Sequence, residues 1–398
     1  MGAADGRTLR RTGRLRAGAA LSTILLVTGD IGASGATGPE RLAPPTGPPS
    51  TGEQVYRVAC AACHGADGTG APRTTVGFAA PLPDFTDCNF ATREANSDWE
   101  AIVRDGAPVR GFTRIMPAFR DALSDQEIVR VVEYLRTFCR SGAWPRGEFN
   151  LPRSMVTEKA FPEDEGILTT SVGTSGPGSV ANELVLERRL GSRAQLDFGA
   201  PFSFMQQQDG AAWNGGIGDL SLGLKYNVIH SLGSGTILSG MGEVVIPTGN
   251  ASKGFGTGTT VIEPSLLLGQ ILPARSFFQF QGGVGLSTNQ DKVPQEAFWS
   301  GVLGTTASVG QISRIVSPMV EVTGTREMTS GASAEWDVIP QVQVSLSARQ
   351  HVLASVGARI PLANTTDRHT QIMAYILWDW FDGGLFEGWK GWCPGCQH

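Results

Sequence analysis

The sequence predicts an α + β multidomain chain, with a small all-α domain followed by an antiparallel transmembrane β-barrel of about twelve strands. Three observations predict it. Capping-box pairs and helical apolar spacing fall between residues 51 and 142. Alternation of apolar with small or polar residues then runs from about 167 to 381, in segments of membrane-spanning length. Composition agrees: 52 of 398 residues are Gly and only 17 % are charged, which suits many turns and apolar rows that exclude charge. The same figures exclude other classes. The chain is too apolar to be mostly disordered, its Gly has no triplet period, and a net charge of −5 gives no footing for nucleic acid.

Residues 1–36 read as a secretory signal. Arg7, Arg10, Arg11, Arg14 and Arg16 make a basic start, Ala17 to Val27 is apolar but too short to span a bilayer, and Ser34-Gly35-Ala36 has the small-residue cleavage pattern. A Pro/Gly-rich linker follows at 37–50. No later apolar run is long enough for a transmembrane helix, so any span must be a barrel.

The helical domain is placed at 51–142. Thr51 with Gln54 predicts a helix through Val55, Tyr56 and Val58. Ser97 with Glu100 predicts a second, with Trp99, Ile102 and Val103 on one face and Gly106 ending it. Ser124 with Glu127 predicts a third, carrying Ile128, Val131, Val132, Leu135 and Phe138. The first helix runs into Cys60-Ala61-Ala62-Cys63-His64. C-x-x-C-H is the attachment pattern of c-type haem: two thiols one turn apart reach two vinyl groups, and the next residue places an imidazole under the iron. A redox disulfide is the competing reading. Met116-Pro117 lies after a Gly-containing loop, where a thioether can take the other axial position or simply fill the core.

This arrangement, with a last helix ending in EYLRTF, resembles class I cytochrome c over residues 51–140. The resemblance implies one covalently bound haem c on Cys60 and Cys63, with His64 and Met116 as the axial ligands of its iron. Cys88 and Cys139 lie in the same domain, and an oxidising compartment favours a disulfide between them over buried thiols. Cys393 and Cys396 lack a His directly after them; a local disulfide is the preferred reading and a metal site with His398 the other.

Residues 143–166 show no period and read as an extended connector docking against both domains. The barrel is placed at 167–381, with strands near 167–173, 182–190, 193–205, 216–229, 235–247, 258–272, 276–287, 296–309, 314–326, 335–347, 351–361 and 369–381. Leu220, Leu222, Leu224, Tyr226 and Val228 oppose Ser221, Gly223, Lys225 and Asn227, and the last strand repeats the pattern with Ile372, Ala374, Ile376, Trp378 and Trp380 facing out. Lys225, Glu243, Glu263, Glu321 and Arg359 are expected as solvated lumen-facing residues, with Asp219 beside them. Trp213, Phe277, Phe278, Phe298, Trp299, Trp336, Trp378, Trp380 and Phe381 near segment ends suit interfacial girdles.

The segments GIGDLSLGLKYNV, GEVVIPTGN with GFGTGT, and PQVQVSLSARQHVLASVGARIPL resemble the outer-membrane channel family linked to the meta-pathway of phenol degradation, over about 180–381. The resemblance implies a twelve-stranded barrel. One departure stands out: such barrels usually end on a terminal aromatic, whereas here a Gly/Trp-rich tail continues at 382–398. The whole layout is similar to porin-fused monohaem cytochromes of the outer membrane. It implies an electron-transfer protein rather than an enzyme, set in outer-membrane lipid. Its partners would be a periplasmic electron carrier and an extracellular or periplasmic donor or acceptor, iron being one candidate. The haem would lie on the periplasmic side or within the barrel mouth. The competing readings are an outer-membrane channel for small, including aromatic, compounds with the cytochrome as redox or docking module, and a soluble haem protein with an adhesive β-domain.

Overall fold

Three helical segments run end to end at the start of the first domain: α1 (Gly52–Val55), a π-helical turn (Tyr56–Cys60) and α2 (Ala61–His64). They belong to a computed structural model that describes residues 51–206, 212–309, 314–365 and 368–379. The expected signal, linker and tail, with Cys393, Cys396 and His398, lie outside the described residues, as do Trp380 and Phe381. Thr51 and Gln54 form the expected reciprocal cap. Short helices α3 (Arg73–Val76) and α4 (Cys88–Ala91) lead to α5 (Asn96–Asp105) and α6 (Asp125–Arg136), the latter capped by Ser124 and Glu127 as expected. The Ser97 box does not form. Helix α5 starts two residues earlier, behind Ala95, and its first N–H, on Asn96, donates to Glu148 Oε1 at 3.3 Å, so a carboxylate from the connector replaces the local cap. Val55, Tyr56, Phe85, Trp99, Val103, Ile128, Val131, Val132 and Leu135 make the core. Gly52 lets α1 lie against α6, since a side-chain carbon there would fall 2.1 Å from the Arg130 carbonyl oxygen. A disulfide joins Cys88 to Cys139.

The second body is a closed antiparallel barrel. Its segments are β1 (Glu165–Gly173), β2 (Ser179–Leu190), β3 (Ala194–Gln206), β4 (Trp213–Ile217), β5 (Leu220–Ser231), β6 (Thr236–Ile246), β7 (Val261–Ile271), β8 (Ser276–Ser287), β9 (Glu296–Thr305), β10 (Ala307–Val309), β11 (Arg314–Glu327), β12 (Glu335–Ser345), β13 (Val352–Ala363) and β14 (Gln371–Asp379). Segments β4 and β5 both pair with β3 and form one interrupted strand; β9 and β10 both pair with β11 and form another. Twelve strands therefore run in sequence order, and β14 pairs with β1 to close the ring. The interruption of β4–β5 falls at Asp219. Its carboxylate accepts from the N–H groups of Gly249 and Thr257, so it anchors the 247–260 loop and is not a lumen residue.

The barrel is inside-out relative to a soluble fold. Leu224 is 53 % exposed while its neighbour Lys225 is 0 % exposed, and Leu266, Leu303, Val320, Val356 and Ile376 repeat the exposed apolar row. A water-facing sandwich would put these side chains in its core; an outer face of this kind belongs in lipid. Among the described residues no helix is long and apolar enough to cross a membrane. Trp213 and Trp336 are exposed as girdle residues should be, and Trp299 packs on Trp336 at 5.2 Å over Gly324, where any side chain would collide with the indole. Phe277 departs from that expectation. It is buried inside, packed with Leu151, Val302 and Met319, because Gly304 on the neighbouring strand leaves space for its ring.

The barrel has two unlike ends. Turns 191–193, 232–235 and 272–275 are short, whereas 247–260, 288–295 and 328–334 are long. The helical domain sits at the short-turn end. Gly142 O accepts from His230 there, and Ala143 O accepts from Arg193.

The connector does more than bridge the two bodies. From Gly147 to Asp164 it enters the barrel and fills the short-turn half of the lumen. Leu151, Arg153, Ser154, Thr157, Lys159, Ala160, Phe161, Glu163 and Asp164 are all buried. Glu321 accepts from the backbone N–H groups of Met155, Val156 and Thr157, and Gln279, Ser239 and Tyr375 donate to the carbonyls of Pro152, Ala160 and Arg153. Lys225 Nζ donates to Lys159 O at 3.0 Å and stands 4.0 Å from Glu187. Lys225 and Glu321 are thus not solvated lumen charges; they grip the connector. Removing one member of a buried charge network costs about 3–5 kcal/mol. Lys225→Met should accordingly lower the temperature at which the folded barrel band converts to the unfolded one on a gel; an unchanged temperature would contradict this role.

Candidate functional site

The C-x-x-C-H segment ends the first helix, and Gly65, with φ +76°, turns the chain away immediately after His64. Backbone bonds then fold the next loop back over the motif, with Gly70 N–H donating to His64 O at 2.9 Å and Ala71 N–H to Cys63 O at 2.8 Å. Tyr56, fully buried, donates its hydroxyl to Gly65 O at 2.6 Å and fixes the turn from beneath. Cys60 and Cys63 are free thiols, Cys60 half-buried against the core and Cys63 exposed. Burial, with Cys63 adding, pushes the Cys60 thiol up to about 11. Burial also holds the His64 imidazole below its ordinary range, in the neutral form that has a lone pair to give a metal. The Phe85 ring lies 5.1 Å from it, and its buried Nδ1 has no hydrogen-bond partner.

Met116 packs on the edge of the same core as Cys60. Its loop closes onto the end of α5 and the turn after it, where Ala107 N–H donates to Met116 O at 3.2 Å and Phe119 N–H to Val103 O at 3.0 Å. Gly106 permits that approach, because a side-chain carbon there would sit 3.2 Å from Met116 O. The Cys60 thiol, a neutral imidazole and the Met116 thioether thus border one small core, with the free Cys63 thiol exposed one turn from Cys60. This donor set fits a haem.

Charged pairs lock the helical domain to the barrel. Arg93 pairs with Asp164, both buried, and Asp164 also accepts from Arg189 N–H. His351, in the turn before β13, meets Glu94 at 3.0 Å. Arg349 lies over the Phe112 ring at 4.3 Å, and Arg189 over Trp144 at 4.9 Å. Glu94, His351 and Asp379 bring ligand-type atoms within 4.8 Å of one another. Arg110 and Arg136 both act on Glu94, so this group is an ion-pair knot in the seam.

Above the connector, towards the long loops, a cavity of about 510 Å³ remains. Glu243 and Arg359 line it, with Arg153 and Glu158 of the connector as part of its wall. Arg359 is held by Asp337 at 2.7 Å, and Glu263 stands opposite Glu243 on the paired strand. The lumen residues that sequence reasoning missed are Arg153, Lys159, Glu163, Glu187, Gln195 and Tyr375. Arg153 pairs with Glu158, Glu165 and Glu187, and Lys159 with Glu163 and Glu165. For Arg153, Lys159 and Glu163 the only sequence signal was charge density in a segment without period; Glu187, Gln195 and Tyr375 lie on strands, where alternation alone could have placed them on the inner row.

Residues 47–135 match the family described as cytochrome c oxidase, cbb3-type, subunit III. Residues 165–360 match the family described as putative MetA-pathway of phenol degradation. The chain joins a cytochrome c domain to an outer-membrane channel-like barrel. A domain of this type implies haem. No curated protein matches the sequence. Among solved structures, an outer membrane channel from Pseudomonas putida F1 is similar at 12 % identity and TM-score 0.39, covering 57 % of this chain and 99 % of that one. LpxR from Salmonella typhimurium is similar at 10 % identity and TM-score 0.36, covering 54 % and 99 %. The KdgM porin follows at 9 % identity and TM-score 0.33, covering 54 % and 98 %. At these scores the architecture rests on the strand pairings themselves.

Proposed function

We propose that this chain is a monohaem electron-transfer protein of the bacterial outer membrane, acting at or across it. Cys60 and Cys63 would hold one haem c covalently, and His64 and Met116 would be the ligands to its iron. Bound there, the haem supplies a one-electron couple. The protein's own work is to keep the imidazole neutral, to keep Met116 on a loop pinned to α5, and to leave the Cys63 edge exposed to a redox partner. Short turns face the periplasm in bacterial barrels, which supports a cytochrome domain on that side, within reach of a periplasmic carrier. An extracellular donor or acceptor would approach through the cavity above the connector.

The observation that carries this reading is the filled lumen. A barrel whose short-turn half holds a buried, ion-paired segment of its own chain is built to exclude solutes from that route. The second reading, a channel for small compounds with the cytochrome as docking or redox module, draws on the cavity and on the barrel's family match. It requires the connector to leave.

Sealed vesicles separate the two. The electron-transfer reading expects the haem to be reduced by a membrane-impermeant reductant at one face or the other, with no accompanying solute flux. Flux of small solutes with a haem that responds from neither face would establish the channel instead. For the ligand set, Met116→Ala should retain covalent haem and lose the Met-ligated absorption spectrum; an unchanged ferric spectrum would remove Met116 from the iron.

A further inference from the structure

The Met116 loop is tied to the end of α5 and the turn after it, through Ala107 N–H to Met116 O and through Phe119 N–H to Val103 O. Between them, residues 111–115 are exposed. Much of what they pack against belongs to the barrel. The Arg349 guanidinium lies 4.3 Å from the centre of the Phe112 ring. Gly111, at φ +71°, comes so close that a side-chain carbon there would be 3.7 Å from both Ala348 and Arg349. Two residues further along the same turn, His351 meets Glu94, just ahead of α5. One barrel turn, 346–351, therefore brackets α5. It touches the chain that enters the helix and the loop that leaves it towards Met116.

We infer that the barrel turn 346–351 positions the axial-ligand loop, with Arg349 acting through Phe112 to hold Met116 in place. The inference rests on the proposed reading of Met116 as a haem ligand. A loop that is already held loses less conformational freedom when its thioether binds iron. A competing ligand must displace Met116 and also open the loop against the barrel contact. Arg349 and Phe112 are positioning residues, and docking of the cytochrome on the barrel becomes part of what sets the haem's ligation and potential.

The test compares full-length wild type with Arg349→Ala, Phe112→Ala, Arg349→Lys and Met116→Ala in detergent. Haem staining verifies covalent haem, and gel mobility verifies the folded barrel. Imidazole titration of the ferric haem and its reduction potential are the readouts. Arg349→Ala and Phe112→Ala should each bind imidazole about threefold more tightly, the size an exposed cation–π contact can supply, and should shift the potential downward. Arg349→Lys, which keeps the cation, should recover most of the wild-type affinity. If either alanine variant fails to fold, the other carries the test. Unchanged imidazole affinity and potential in the alanine variants, alongside a large change in Met116→Ala, would overturn the inference and leave the ligand assignment standing. An inert Met116→Ala would overturn the ligand assignment itself.

Discussion

A peptide backbone buried inside a barrel cannot leave its N–H and C=O groups without partners. Strand ladders cannot serve it, because they are spent on their neighbours. In this protein the inward side chains serve it. Glu321 takes three successive N–H groups of the connector. Gln195 and Gln281 accept two more, from Glu163 and Glu158. Gln279, Ser239, Lys225 and Tyr375 answer carbonyls. The polar inner rows of the strands, which in an open pore would be wetted, are here largely dry and engaged. The connector's own charges complete the match: Arg153 and Lys159 are surrounded by Glu158, Glu163, Glu165 and Glu187. Each such group would be costly to bury alone, and together they specify one path for the segment through the lumen.

That path decides how the two domains relate. The connector leaves α6 at the short-turn end, is clasped there by Arg193, His230 and Arg189, and descends into the barrel within a few residues. The cytochrome domain therefore has no free tether. Arg93 ties it to Asp164 at the end of the connector, and His351–Glu94 and Arg349–Phe112 seat it directly on the barrel. A fixed cytochrome domain over a filled lumen is the geometry on which the proposed electron-transfer reading rests. The cavity left above the connector, with its acidic and arginine side chains, is the part of the barrel still open to a molecule from the long-loop side.

Much of this was legible in the sequence, and the reasons are local. The C-x-x-C-H run needs five adjacent residues and one helical turn. The strands follow from a period of two, which Leu224 beside Lys225 shows in its simplest form. The caps at Thr51 and Ser124 are reciprocal within four residues. What was not legible depends on partners far away in the chain. The connector reads as an extended segment docking between the domains because it carries Pro and mixed charge without a period, yet Glu321 meets it from more than 160 positions on. Ser97 has the right spacing for a cap, but Glu148 reaches the helix end first. Phe277 looks like a girdle aromatic until Gly304 is seen beside it. Asp219 sits in a polar row, but the strand breaks there and turns its carboxylate to a loop.

The account's central claim is that the chain's own connector closes the barrel. Single-channel recording on the full-length protein in a planar bilayer tests it most directly. The account predicts negligible conductance for wild type and ion-conducting openings for Glu321→Ala, which strips the acceptor from three connector N–H groups. A wild-type protein with steady porin-like conductance, unaffected by Glu321→Ala, would contradict it.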